Sequence, residues 1–210
     1  MRQELAVFDL ACGNLRFERF LLGETNAGTW VPEQRFRFYT VDNNASLLPV
    51  EPATTHQNLD VMEVLLREGR LTGAFTAPAC DLAVCFGFLH HVPLPEWRLE
   101  VLRGLLSQTT SGGVMVVSLW QFLKDGGLAL RAEASHRQAL CELSLPNLGE
   151  GDYLLGWQEA AGAYRYCHSF SDAEVKWLAA SVEGRAELVA DYQSDGRTGD
   201  LNRYLIWRVK

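Results

Sequence analysis

Three aspartates stand at or near the ends of short apolar runs: Asp9 in Leu5–Ala11, Asp42 after Phe36–Val41, and Asp60 after His56–Leu59. A carboxylate is purely an acceptor, with several lone-pair sites on its two oxygens. Asp42, with Asn43 beside it, is therefore suited to the two hydroxyls of a ribose. Asp60, followed by Val61, is suited to an exocyclic amine such as adenine offers. The turn Cys12-Gly13-Asn14 follows the first run, and a glycine there lets the main chain approach a ligand closely. Ala11, Gly13 and Leu15 alternate where a dinucleotide site carries G-x-G-x-x-G. A pyrophosphate needs that glycine-lined helix terminus. The acids thus fit a nucleoside-type ligand without a pyrophosphate.

These residues gain a common location only if the runs are strands of one sheet. Apolar runs alternate with helical patterns, which is the signature of a parallel sheet wrapped by helices. A helix is predicted around Arg16–Leu22, a short one from Asn43-Asn44 through Leu48, and another from Asp60 to Arg67. The fourth strand, Asp81–Phe86, leads into Gly87-Phe88-Leu89-His90-His91-Val92-Pro93. An amphipathic helix follows, with Trp97, Val101, Leu102, Leu105 and Leu106 on one stripe. Gly112-Gly113 marks a turn into a fifth strand, Val114–Trp120. Residues 121–160 are more polar and read as an inserted helical or lid segment. Ser171-Asp172-Ala173-Glu174 has the form of a capping box. Ala186–Tyr192 and Arg203–Val209 read as a closing antiparallel hairpin. One domain over residues 1–210 is expected. In such a sheet, ligands sit beyond the carboxyl ends of the strands, where strand order reverses.

Composition narrows the classes. Apolar residues make up 48% of 210 and charged ones 21%, enough for a sizeable core and unlike a disordered chain. No apolar run approaches the ~20 residues of a membrane helix. No signal peptide is read at the start, so a soluble, cytoplasmic protein without membrane partners is expected. Five scattered cysteines without a C-x-x-C pair exclude a zinc framework or disulfide scaffold, and no metal is expected. The net charge of −7 supplies no basic footprint for nucleic acid.

Together, Phe8–Asn14, Val41-Asp42, Leu59-Asp60-Val61, Asp81–Pro93 and Gly112-Gly113 resemble, in order and spacing, the class I S-adenosylmethionine-dependent methyltransferases. The resemblance covers residues 5–120. It implies a Rossmann-like α/β fold, with a mostly parallel seven-stranded sheet, an antiparallel C-terminal hairpin and helices on both faces. It also implies S-adenosylmethionine as cofactor. Asp9, Ala11, Gly13 and Phe86 would lie at its methionine part, Asp42 and Asn43 at the ribose, and Asp60 and Val61 at the adenine. Gly151–Trp157 with Arg165–Phe170 is similar to the wobble-uridine tRNA carboxymethyl methyltransferases. That second resemblance implies methyl esterification of a carboxymethyl group on tRNA, with a small activating protein subunit as an expected partner.

Methyl transfer is an in-line displacement, so positioning supplies much of the barrier reduction. A carboxylate acceptor is already ionised and needs no base. Arg165 is the expected bidentate clamp for it, and His168 the base should the acceptor be a hydroxyl or amine. Asp152, Trp157, Tyr166, His91 and Asn202 complete the expected acceptor site. The plainer readings stand beside these. Aromatics on a strand are more often core, Asp152 is a natural salt-bridge partner for Arg165, and one of His90 and His91 packs beneath its loop. A small-molecule carboxylate or hydroxyl is the alternative acceptor. A non-catalytic scaffold that binds a partner protein is the other class, motivated by Leu15 at the third glycine position. The chain begins almost at its first strand, so the cofactor site is expected to be either open or lidded by a partner.

Overall fold

The structure, a computed structural model, describes residues 4–26, 35–44, 54–157 and 162–210. Its main sheet has seven strands: β1 (Glu4–Leu10), β2 (Arg35–Asp42), β3 (Thr54–Asn58), β4 (Cys80–Cys85), β5 (Thr109–Trp120), β8 (Ala186–Ser194) and β9 (Asn202–Val209). A separate two-stranded sheet pairs β6 (Asp152–Gly156) with β7 (Tyr164–His168). The helices are α1 (Arg16–Asn26), α2 (Val61–Glu68), α3 (Pro95–Ser107), α4 (Gly126–Leu143) and α5 (Asp172–Ala180).

Strand order is β3-β2-β1-β4-β5-β9-β8. The first five strands run parallel, and β9 pairs antiparallel with both β5 and β8. The chain winds outward from β1 to β3, then returns to place β4 on the other flank of β1. Order therefore reverses between β1 and β4, and a crevice opens beyond Leu10 and Cys85. The expected seven-stranded, mostly parallel sheet with a closing hairpin is the observed one.

The helices form where the sequence signals lie. Asp60 caps α2 by accepting from the Glu63 amide, and Gly69 closes that helix at φ +66°. Ser171 and Glu174 make the reciprocal capping box on α5. The α3 stripe buries Val101, Leu102, Leu105 and Leu106 against the sheet, with Trp97 packed at its edge. Each such side chain withdrawn from water contributes roughly 1.5–3 kcal/mol. No helix among the described residues is long and apolar enough to cross a membrane.

Three expectations change. Gly112-Gly113 is not a turn before β5 but an irregularity inside it. Pairing with β4 jumps from Cys80–Thr109 to Leu82–Val114, and Gly112 takes φ +77°. Glycine absorbs the extra residues of such a bulge. The third strand is Thr54–Asn58 rather than His56–Leu59, because Asp60 must leave the sheet to cap α2. Residues 121–160 hold α4 but also β6, so the insertion is a helix packed on a hairpin strand. Ser135 on α4 ties the two together, donating to the Leu154 carbonyl (3.0 Å) and accepting from the Gly156 amide (2.8 Å). The short helix predicted through Leu48 lies outside the described residues.

Candidate active site

A cleft of about 680 Å³ occupies the crevice at the switch point. The loop after β1 forms its floor. Ala11, Gly13 and Leu15 all adopt left-handed backbone, at φ +59°, +55° and +59°. Gly13 does so at little cost, whereas side-chain-bearing residues pay roughly 1 kcal/mol or more. The loop is held in this shape from outside: the Ala11 and Cys12 amides both donate to the Val41 carbonyl, and the Gly13 amide donates to Asp42 Oδ2 at 2.9 Å. Asp42 Oδ1 accepts from the Asn44 amide at 3.0 Å. Leu15 does not line the cleft. Its side chain is buried, 2% exposed.

Asp9 sits on the cleft wall, only 3% exposed. Behind it lies Glu18 of α1, fully buried, with neither carboxylate oxygen hydrogen-bonded. Burial and the neighbouring charges of Glu18 and Asp42 push the Asp9 carboxyl well above its ordinary range, and burial raises Glu18 as well. The same acids and burial raise the Cys12 thiol. The cleft wall thus holds a strongly unfavourable concentration of buried acid.

The opposite wall is aromatic. Phe86, at the end of β4, makes edge contacts with Phe17 (5.1 Å between centroids) and Tyr204 (6.2 Å). Gly87 turns the chain away at φ +70°, its amide bound to Ser118 Oγ at 3.0 Å. His90 and Trp120 follow along the wall, their rings 5.0 Å apart. His90 Nδ1 is buried without a hydrogen-bond partner. Burial, then the nearby charges of His91, Arg165 and His168, press its pKa down to about 2, so the ring is neutral.

Of the expected residues, the fold brings Asp9, Ala11, Gly13, Phe86, Arg165 and Asn202 to the cleft. Asn202 there donates to Asp195 Oδ2 at 2.9 Å. Asp42, Asn43, Asp60 and Val61 lie beyond its adjoining end, at the tips of β2 and β3. Asn43 bonds Asp60 Oδ2 (2.9 Å), while Asp60 Oδ1 caps α2. The Val61 side chain belongs to the core, which leaves only its main chain for a ligand.

Asp152, Tyr166 and His168 are not brought to the cleft. They form a buried network with Arg98 and Glu174. His168 Nδ1 meets Asp152 Oδ1 at 2.6 Å and its Nε2 meets Glu174 Oε1 at 2.8 Å. Tyr166 donates to Asp152, and Arg98 reaches Glu174, the Tyr166 hydroxyl and the Val92 and Pro93 carbonyls. Burial opposes a charge on His168, but its two carboxylates outweigh that and raise its pKa. With both nitrogens engaged and 2% exposure, His168 pins the β6–β7 hairpin to α3 and α5 and has no lone pair to offer as a base.

His91 and Trp157 belong to a second cavity, about 600 Å³, which meets the first at Arg165. His91 Nδ1 lies 2.9 Å from the Tyr166 carbonyl. His90, His91 and Cys167 also bring one ligand-type atom each within 4.8 Å of the others, but the positive charges of Arg165 and His168 face this group and oppose a cation there. Sequence reasoning missed Glu18, Ser118, Trp120 and Tyr204. Only the α1 register carried a signal for the first, since Glu18 falls on the helix face between Leu15 and Leu21.

No known family matches the sequence, and no curated protein does. Solved structures do. An S-adenosylmethionine-dependent methyltransferase from Methanosarcina mazei superposes at a TM-score of 0.65 with 14% identity, over 100% of this chain and 94% of that one. The chain has the fold of the S-adenosylmethionine-dependent methyltransferases. The 1,6-didemethyltoxoflavin-N1-methyltransferase of Burkholderia thailandensis, solved with bound 1,6-didemethyltoxoflavin and S-adenosylhomocysteine, gives 0.57 and 16%, over 99% and 72%. The N-methyltransferase NodS of Bradyrhizobium japonicum, with S-adenosylhomocysteine, gives 0.52 and 11%, over 98% and 78%.

Proposed function

We propose that the chain is an S-adenosylmethionine-dependent methyltransferase. One observation carries this reading: Asp9 on the wall of a cleft at the sheet's switch point is buried against Glu18, and among the described residues neither acid has a cation within ion-pair distance. A ligand that brings positive charge relieves that arrangement, whereas a pyrophosphate aggravates it. S-adenosylmethionine bears an ammonium and a sulfonium, and when bound it supplies an activated methyl group.

The chain's own residues do the positioning. Each Asp42 oxygen already accepts one amide, and each keeps a further lone pair for a ribose hydroxyl. Phe86, Phe17 and Tyr204 form an apolar, water-excluding wall. Arg165 stands where the cleft meets the second cavity and orients the acceptor. Among the described residues of the cleft, His90 is neutral and can accept a hydrogen bond from an incoming hydroxyl or amine.

The finer reading, esterification of a carboxymethyl group on wobble uridine, rests on residues 151–170 alone. Asp152, Tyr166 and His168 are consumed by the structural network, and acids outnumber bases over residues 150–210. A small-molecule acceptor is the better supported class, and the Burkholderia neighbour acts on one. The scaffold alternative is weakened, because Leu15 is buried and is not among the residues that line the cleft. Calorimetric titration with S-adenosylhomocysteine tests the proposal. Micromolar binding, about −8 kcal/mol, weakened at least tenfold in Asp42→Ala, supports it; no heat at millimolar ligand refutes it.

A further inference from the structure

Two arginines, Arg98 on α3 and Arg165 on β7, have opposite fates. Arg98 is buried with its donors satisfied by two carbonyls, a tyrosine and a carboxylate. Arg165 of β7 has no carboxylate within ion-pair distance among the described residues, and its Nε is buried without a hydrogen-bond partner. Its guanidinium carbon lies over the Trp157 ring, 4.6 Å from the centroid. A guanidinium held over an aromatic face is positioned by that contact, and its N–H groups remain donors for an anion.

We propose that the second cavity is the acceptor site for a small molecule that joins an apolar or aromatic body to a carboxylate, with Arg165 as its anion-binding residue. This rests on the methyl-transfer reading, for which it names the substrate class. The cavity is bounded by His91, Leu143, Trp157, Tyr164 and Arg165. Leu143 and Trp157 are 47% and 42% exposed, a large apolar area in the same cavity as a cation that has no ion-pair partner among the described residues. Tyr164 is held in place by its hydroxyl, which donates to Glu142 at 2.6 Å. Apolar walls with one convergent charged group are the usual make-up of a small-ligand site. Because Arg165 lines both cavities, an acceptor anchored on it reaches the mouth of the cofactor cleft. The protein's charge of −7 disfavours a polyanion over the same surface but is no obstacle to a single carboxylate paired with arginine.

The experiment uses the full chain in two stages. Binding of S-adenosylhomocysteine, measured first by calorimetry, tests the methyl-transfer reading alone. The loaded protein is then titrated with benzoate, phenylacetate and hexanoate, each against its uncharged amide, with saturation-transfer NMR as readout. At least one carboxylate is expected to bind tenfold more tightly than its amide. Arg165→Gln should erase that preference, Arg165→Lys should restore part of it, and Trp157→Ala should weaken carboxylate and amide alike. Thermal melts confirm that each variant is folded. No preference for any carboxylate on loaded protein, or a preference that survives Arg165→Gln, overturns the proposal. An Arg165-dependent preference on protein that does not bind S-adenosylhomocysteine overturns the acceptor role and leaves only an anion site.

Discussion

Asp9, on the cleft wall, and Glu18 behind it are buried together, 3% and 0% exposed, with no cation within ion-pair distance among the described residues and neither Glu18 oxygen hydrogen-bonded. Their carboxyls hold a proton to higher pH than they do in the unfolded chain. Folded values raised above unfolded ones mean that this pair favours the folded state at pH below ~4 and progressively costs stability as pH rises through the raised values. Glu18→Gln supplies an N–H that can be donated to Asp9. It should stabilise the ligand-free protein by about 1–3 kcal/mol near pH 8 and by less at pH 5. Urea unfolding of both proteins across that range is the check, and an equal difference at both pH values would refute the account.

A cationic ligand in the cleft favours the ionised pair, so its binding should expel a proton. Affinity for S-adenosylmethionine should therefore rise with pH until the pair is ionised without ligand. S-adenosylhomocysteine, which lacks the sulfonium charge, should respond less. Calorimetry in buffers of different ionisation heat counts the protons released, and Glu18→Gln should reduce the count.

The loop after β1 offers a test of strain against burial. Ala11→Gly keeps the +59° backbone at lower steric cost, and should stabilise by up to about 1 kcal/mol. Leu15→Gly relieves a similar strain but gives up a side chain that is 2% exposed. Burial of a leucine contributes roughly 1.5–3 kcal/mol before any cavity cost, so burial wins and the variant should be less stable. Thermal melts of the two variants should move in opposite directions.

His168 holds the hairpin through two carboxylates. Its raised value contributes stability that is full below ~6.5 and is lost as pH climbs through the folded value. Glu174, drawn down to about 2 by His168 and the Ser171 amide against the cost of burial, contributes stability that is present above ~4.3 and is lost as pH falls toward 2. The network is strongest between those limits. His168→Gln should cost about 3 kcal/mol near pH 6, and its cost should shrink at alkaline pH. An NMR titration of the His168 ring should show a pKa above that of a free histidine.

The sequence by itself determined most of the strands, the starts of α2 and α5 and the floor of the cleft. Those features are written locally: apolar runs of strand length, an aspartate or serine at a cap, a glycine at a turn. Asp9, Gly13 and Phe86 could be placed at the crevice because a parallel sheet delivers the ends of its strands to one edge. The part played by the residues of the β6–β7 hairpin was decided only by tertiary packing. Asp152, Tyr166 and His168 look like a reactive set in the sequence, yet strand pairing of Asp152 with His168 and the arrival of Arg98 from α3 close that set on itself. Arg165, one strand position from Tyr166, escapes because side chains alternate faces along β7. Glu18 could not be recognised as Asp9's neighbour, since nothing in a helical run states which face will meet a buried acid. Contacts between distant residues depend on how elements pack, and that information lies in no single segment of the chain.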